Sequence, residues 1–169
     1  MVPLQELETK ALSFAAQCHK GQKDKVGHDY IDHPNWVANC CNLPEEKIVA
    51  LLHDVMEDCG ITEDMLMEQG FSDNIIEAVK TCTKKKHEDY FDYIRRVGRN
   101  PISRVVKMHD LEHNMNILRF KDLCQVTMDI KESDLRNREC YILNEKDLYR
   151  LNKYLVAYRM LERMNKDDL

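Results

Sequence analysis

Residues 44–58 read Pro44-Glu45-Glu46-Lys47-Ile48-Val49-Ala50-Leu51-Leu52-His53-Asp54-Val55-Met56-Glu57-Asp58, and this stretch sets the fold class. Pro44 suits a first helical position, and Ile48, Leu51, Leu52 and Val55 recur at three- and four-residue steps as a buried stripe. Into that apolar helix the sequence inserts His53, Asp54, Glu57 and Asp58, each able to bind a metal or carry a proton. Burying such groups uncompensated costs on the order of several kcal/mol. A bound cation is the natural compensation. His53 and Asp54 lie about 100° apart on a helix, close enough for an imidazole and a carboxylate to converge on one ion. Glu57 and Asp58 follow one turn later, beside any water that the ion holds.

Two adjacent residues hold a metal weakly, so further ligands are expected from elsewhere in the chain. His33 precedes Pro34, and the residue before a proline is pushed away from helical geometry, which places His33 at the mouth of a helix. Asp110 interrupts the apolar helical run Val105-Val106-Lys107-Met108-His109-Asp110 much as His53-Asp54 interrupts its own.

The rest of the chain also reads as helix. Leu4, Leu7, Ala11, Phe14, Ala15 and Cys18 form one amphipathic face. Gly21 to Asp32 is polar and reads as a loop. Thr62, followed by Glu63 and Asp64, looks like an N-cap with acids in the first turn. Ser72 opens a helix containing Ile75, Ile76 and Val79, and Asn100-Pro101 opens one running towards Ile117. A last helix carries Leu148, Leu151, Leu155, Tyr158 and Leu161, while 121–138 reads as mixed loop and short helix. No stretch alternates with period two, so the expectation is a compact all-α bundle forming one domain over 1–169.

Composition narrows the function. Among the 169 residues, 43% are hydrophobic and 33% charged, as in ordinary globular proteins. A net charge of −5 supplies no broad footprint for a nucleic-acid polymer, and Lys84-Lys85-Lys86 reads as a solvated turn. The longest apolar runs are too short to span a bilayer, and the N-terminus lacks the pattern of a secretory signal. Seven cysteines, an odd number with no CxxC pair, argue against a zinc ribbon or a complete disulfide framework. Cys40 and Cys41 read as free thiols, since adjacent cysteines rarely close a relaxed disulfide. The expected location is the cytoplasm. His19, His28, His87, His109 and His113 read as structural or incidental, with His109 and His113 candidates for supporting the ligands. Tyr90 and Tyr93 read as packing residues, and Trp36 as a core residue or interface anchor.

The motifs together are more specific than any one of them. His19-x-Gly21-Gln22, then Gly27-x-x-Tyr30-Ile31-x-His33-Pro34, then Leu52-His53-Asp54-Val55-x-Glu57-Asp58, then Val106-Lys107-x-x-Asp110-x-x-His113-Asn114 follow in order. This pattern resembles the HD-domain hydrolases of the RelA/SpoT alarmone family, and is especially similar to the small stand-alone members without a synthetase domain. The likeness covers about Phe14 to Arg119. It implies a single divalent ion, usually manganese, bound by His33, His53, Asp54 and Asp110. It implies that Glu57 and Asp58 orient the attacking water and assist proton transfer. It implies further that Lys25 and Asn114 contact a small nucleotide substrate, and that the reaction is a phosphohydrolysis. In its sharpest form that is removal of the 3′-pyrophosphate from a guanosine tetraphosphate-type alarmone. Asp24 stands where the family usually has an arginine that helps stack the guanine, and Leu111-Glu112 stands where it tends to be basic. The catalytic half of the pattern is intact and the substrate-reading half is altered. Hydrolysis of another nucleotide or a small phosphomonoester, and metal-bearing binding without turnover, remain as alternatives. Oligomeric state is open.

Overall fold

The computed structural model of the chain describes residues 3–25, 27–116 and 145–167. Those residues form helices and connecting turns, with no strand among them beyond an isolated antiparallel bridge between Lys23 and Asp29. The first helix, α1 (Leu4–Cys18), is followed by the expected loop and by α2 (Asp32–Cys40), with His33 in its first turn. The next, α3 (Pro44–Leu52), begins at its proline as the sequence predicts, and Glu46 Oε2 accepts from Leu43 N at 3.0 Å to satisfy the helix mouth.

The helix expected through 44–58 is broken in two. After α3 a turn carries His53 and Asp54, and α4 (Val55–Cys59) starts afresh. His53 Nδ1 donates to Ala50 O at 2.7 Å, competing for a carbonyl that helix continuation would use. Asp54 sits at φ −103° and ψ −8°, in the sparsely populated region between helix and strand. The break lets both side chains face one point, and Asp58 N still donates to Asp54 O at 2.8 Å, so the register of Glu57 and Asp58 survives. Gly60, at φ +68°, ends α4 in a left-handed turn that a side chain would disfavour.

Thr62 caps α5 (Glu63–Glu68) by accepting from Met65 N, and α6 (Asp73–Cys82) follows Ser72. A helix absent from the sequence expectation, α7 (Tyr90–Gly98), begins where Asp89 accepts from the amides of Phe91 and Asp92 and buries Tyr93, Ile94 and Val97. Asn100 caps α8 (Pro101–Met115), and α9 (Glu145–Asp167) follows the second undescribed segment. The expectations for 121–138 and for Cys124 and Cys140 lie outside the described residues.

Two apolar clusters organise the helices. The first gathers Ala11 and Ala15 of α1, Val37 of α2, Ile48 to Leu52 of α3, Leu66 of α5, Ile75, Ile76, Ala78 and Val79 of α6, and Val106 of α8. The second joins Tyr93, Ile94 and Val97 of α7 to Leu111 of α8 and to Ala157 and Leu161 of α9. On α9 the buried stripe therefore differs from expectation: Leu161 is buried, whereas Leu148 and Leu155 are exposed. Helix α8 belongs to both clusters, with Val106 in one and Leu111 in the other. Asp110 lies beside that seam. No helix among the described residues is long and apolar enough to cross a membrane.

Candidate metal centre

Three elements bring their polar residues together at the seam. The loop before α2 and its first turn supply Tyr30 and His33, the break between α3 and α4 supplies His53 and Asp54, and α8 supplies Asp110. Ligand atoms of His33, His53 and Asp54 lie within 4.8 Å of one another. Asp110 Oδ1 lies 3.0 Å from His33 Nε2 and 3.8 Å from His53 Nε2. All four residues named from the sequence thus converge, although they span nearly half the chain.

The donor set suits a cation. A carbonyl only accepts, so the contact with Ala50 O places the proton of His53 on Nδ1 and leaves Nε2 with its lone pair. That Nε2 is buried, lies 3.1 Å from Asp54 Oδ2, and makes no hydrogen bond. A buried nitrogen without a partner, facing two carboxylates, is the arrangement that a divalent ion completes. The electrostatics agree. Burial alone would lower the His53 pKa, yet the carboxylates of Asp54 and Asp110 outweigh it and hold it well above the ordinary imidazole range. Burial would raise the Asp110 carboxyl, yet the Lys107 charge and the two imidazoles hold it well below the usual range. The point between these residues attracts positive charge.

Supporting contacts hold each carboxylate in place. Tyr30 OH donates to Asp54 Oδ2 at 2.7 Å. Lys107 Nζ and Asn114 Nδ2 donate to the two oxygens of Asp110, each at 2.6 Å. Lys107 itself is half-buried and lies over the Tyr93 ring. Asn114, expected as a substrate contact, thus also fixes the orientation of Asp110. Tyr30 and Lys107 were not singled out as site residues from the sequence. Lys107 stands three residues before Asp110 and Asn114 four after, the spacing that brings side chains together on one helix face.

The centre opens into a cavity of about 630 Å³. Glu57 and Asp58 reach it from α4, beside Asp54, and Lys25 and Asp24 reach it from the first loop. Glu57 Oε2 accepts from Lys84 N at 3.0 Å. Helix α9 contributes Arg150, Lys153 and Tyr154 to the cavity lining. The apolar stripe that marks this helix in the sequence does not reveal its basic face. Lys153 Nζ lies 4.5 Å from the centre of the Tyr90 ring, so Tyr90, expected as a packing residue, also lines the cavity. Burial, followed by the charges of Arg150, Lys107 and Lys84, pulls the Lys153 pKa down. Cations crowded together in this way favour a bound anion. The cavity combines a metal-ligand cluster and two carboxylates with basic and aromatic side chains.

The other histidines divide. His19 is buried, with Nδ1 2.8 Å from Gln22 Oε1, and His109 pairs with Glu112 at 2.7 Å. His113 packs against His33. Trp36 is 37% exposed and stacks on His113.

The family model described as HD domain matches residues 11–127. A probable GTP pyrophosphokinase of Mycobacterium leprae is 34% identical over 126 residues, covering 66% of this chain and 16% of that protein. The bifunctional (p)ppGpp synthase/hydrolase SpoT of Escherichia coli is 33% identical over 127 residues, covering 64% of this chain and 18% of that protein. A guanosine-3′,5′-bis(diphosphate) 3′-pyrophosphohydrolase of Aquifex aeolicus is 30% identical over 139 residues, covering 72% and 20%. The chain therefore spans at most about a fifth of these curated relatives. Among solved structures, a metazoan ortholog of SpoT, described as hydrolysing ppGpp and acting in starvation responses, superposes with a TM-score of 0.59 at 17% identity. The superposition covers 99% of this chain and 98% of that one. This is a likeness of fold.

Proposed function

The chain belongs to the HD domain family, and from that premise we propose that it is a metal-dependent phosphohydrolase that removes the 3′-pyrophosphate from a guanosine tetraphosphate-type alarmone. The observation that carries the reading is the convergence of His33, His53, Asp54 and Asp110 in a cavity that Lys25, Arg150 and Lys153 also line. Relatives named as (p)ppGpp hydrolases, alike over 72% and 64% of this chain, support the choice of substrate.

In this reading the four residues hold one divalent ion, and their mixture of imidazole and carboxylate suits manganese. When bound, the ion supplies Lewis acidity, making water easier to deprotonate and offsetting phosphate charge. Everything else falls to the chain. Glu57 and Asp58 orient the attacking water and accept its proton. Glu57 is held for this by the Lys84 amide. Lys25, Lys153 and Arg150 bind phosphate oxygens as point charges or forks. Asn114 contacts the substrate from the rim, and Tyr90 and Tyr154 offer faces to a base. A small nucleotide is the expected partner, and the cytoplasm the expected compartment.

A second reading keeps the metal and changes the substrate to another nucleotide or a phosphomonoester. Asp24 favours it, because it puts a carboxylate on the cavity wall where the alarmone hydrolases carry an arginine. Binding without turnover is disfavoured by the reach of both Glu57 and Asp58 into the cavity. A panel of nucleotides incubated with the manganese-loaded protein separates these readings. Pyrophosphate released from the alarmone is the expected result, and orthophosphate from mononucleotides transfers the assignment to the second reading. Glu57→Gln is expected to retain the metal and lose the rate. Normal turnover in that variant removes Glu57 from its role.

A further inference from the structure

We propose that His113 is a positioning residue for the metal centre, acting as the hydrogen-bond acceptor that fixes the proton and the ring plane of His33. The proposal rests on the metal-binding reading above. Nδ1 of His33 and Nδ1 of His113 are 2.6 Å apart. The ring planes are inclined by 12°, with centroids 4.8 Å apart. Stacked rings stand about 3.5 Å apart at contact, so nitrogens at 2.6 Å require the rings to meet edge to edge in nearly one plane. That is a hydrogen bond between two imidazoles, and one nitrogen must donate while the other accepts.

The direction follows from the other side of His33. Its Nε2 lies 3.0 Å from Asp110 Oδ1 and 3.7 Å from Asp54 Oδ2, at the point where the ligands converge. A ligating nitrogen needs its lone pair, so the proton of His33 belongs on Nδ1 and is donated to His113. His113 must then be neutral at Nδ1 and carry its own proton on Nε2. A ligating imidazole usually donates to a carboxylate or a backbone carbonyl, as His53 does to Ala50 O. Here the acceptor is a second ring, and its placement is built. His113 stands one turn beyond Asp110 on α8, so one helix supplies both a ligand and the partner of another ligand. Trp36 covers the ring of His113, with centroids 4.4 Å apart and planes inclined by 20°. His113 is 8% exposed and His33 is 5% exposed, so water competes poorly for this hydrogen bond.

The test is calorimetric titration of the full metal-free chain with Mn2+ alone. His113→Phe keeps the aromatic contact with Trp36 and removes the acceptor; affinity is expected to fall about 10- to 100-fold. His113→Asn offers an oxygen in place of the nitrogen and is expected to recover most of the loss. Wild-type affinity in the Phe variant overturns the proposal, as does an equal loss in both variants. A wild-type chain that binds no Mn2+ sinks the metal-binding reading itself, an outcome visible before any variant is made. Should His113→Phe fail to fold, nitrogen NMR of the wild-type chain loaded with diamagnetic Zn2+ decides the question. An Nε2-protonated His113 supports the assignment, and an Nδ1-protonated one overturns it.

Discussion

Lys84 donates its backbone N–H to the carboxylate of Glu57 across 27 positions of sequence, at 3.0 Å. The turn that offers this amide is held by Arg96. Its guanidinium donates to the carbonyls of Thr81 and Thr83, each at 3.0 Å, and to both oxygens of Glu88, each at 2.8 Å. Arg96 is thus two steps removed from the proposed proton acceptor, connected through backbone.

Arg96→Ala is therefore expected to lower the hydrolysis rate about 10- to 100-fold while leaving Mn2+ affinity unchanged. In a Glu57→Gln background the same substitution is expected to add little, because two residues acting through one group are non-additive. Steady-state kinetics of the four proteins check this. Additive losses would mean that Arg96 acts by some other route.

The same ion pair gives a pH signature in stability. Hydrogen bonds from Arg96, against a smaller opposing effect of burial, hold the Glu88 carboxyl down to about 2. A carboxyl depressed in the folded state stabilises the fold at pH values above its unfolded pKa of about 4.3, and that stabilisation is lost as pH falls towards 2. Glu88→Gln is expected to cost about 1–2 kcal/mol at pH 7, within the range for a forked arginine pair near the surface. The gap from wild type should stay constant between pH 6 and 8 and close between about pH 4.5 and 2. Thermal melts across that range measure it, and a gap independent of pH would count against the pairing.

Much of the helical layout was readable in the sequence because apolar residues at helical spacing coincide with proline and cap residues, as at Pro44, Thr62 and Asn100-Pro101. Among the converging residues, His53, Asp54 and Asp110 were readable because they place charge within apolar helical runs, and His33 because Pro34 sets it at a helix mouth. The break after Leu52 was not, since it depends on a side chain taking a backbone carbonyl. Helix α7 is absent from the sequence expectation although Asp89 and the stripe Tyr93, Ile94 and Val97 mark it. The basic side chains that α9 brings to the cavity were out of reach for another reason: their approach to the site is set by packing of α9 on α7 and α8, which no local pattern encodes.

Asp110 links ligation to stability. Its Oδ2 is the partner of the Lys107 ammonium, which the Asp110 charge keeps protonated well above the ordinary lysine value against the pull of burial. Asp110→Ala leaves that ammonium unpaired and is expected to cost about 3–5 kcal/mol as well as Mn2+ binding. Adding Lys107→Met should restore most of the stability and none of the metal affinity. Melting curves and Mn2+ titrations of the two variants check this. Metal binding that returned with stability would remove Asp110 from the ligand set.

Asp24 offers a route to altered substrate preference. It is half-buried on the cavity wall, and its turn is fixed by paired contacts with His28, where Asp24 N donates to His28 O and Asp24 Oδ1 accepts from His28 N, each at 2.9 Å. A carboxylate there repels phosphate and cannot stack on a guanine, whereas the arginine of the alarmone hydrolases that this chain resembles helps to stack it. Asp24→Arg loses the hydrogen bond from His28 N, worth about 1 kcal/mol of stability, and gains a cation over the base, worth about 1–2 kcal/mol of binding. The expected result is a KM for the guanosine alarmone lowered about 5- to 30-fold, with kcat unchanged because Glu57 and Asp58 are untouched. An unchanged KM would show that residue 24 does not govern which base the cavity accepts.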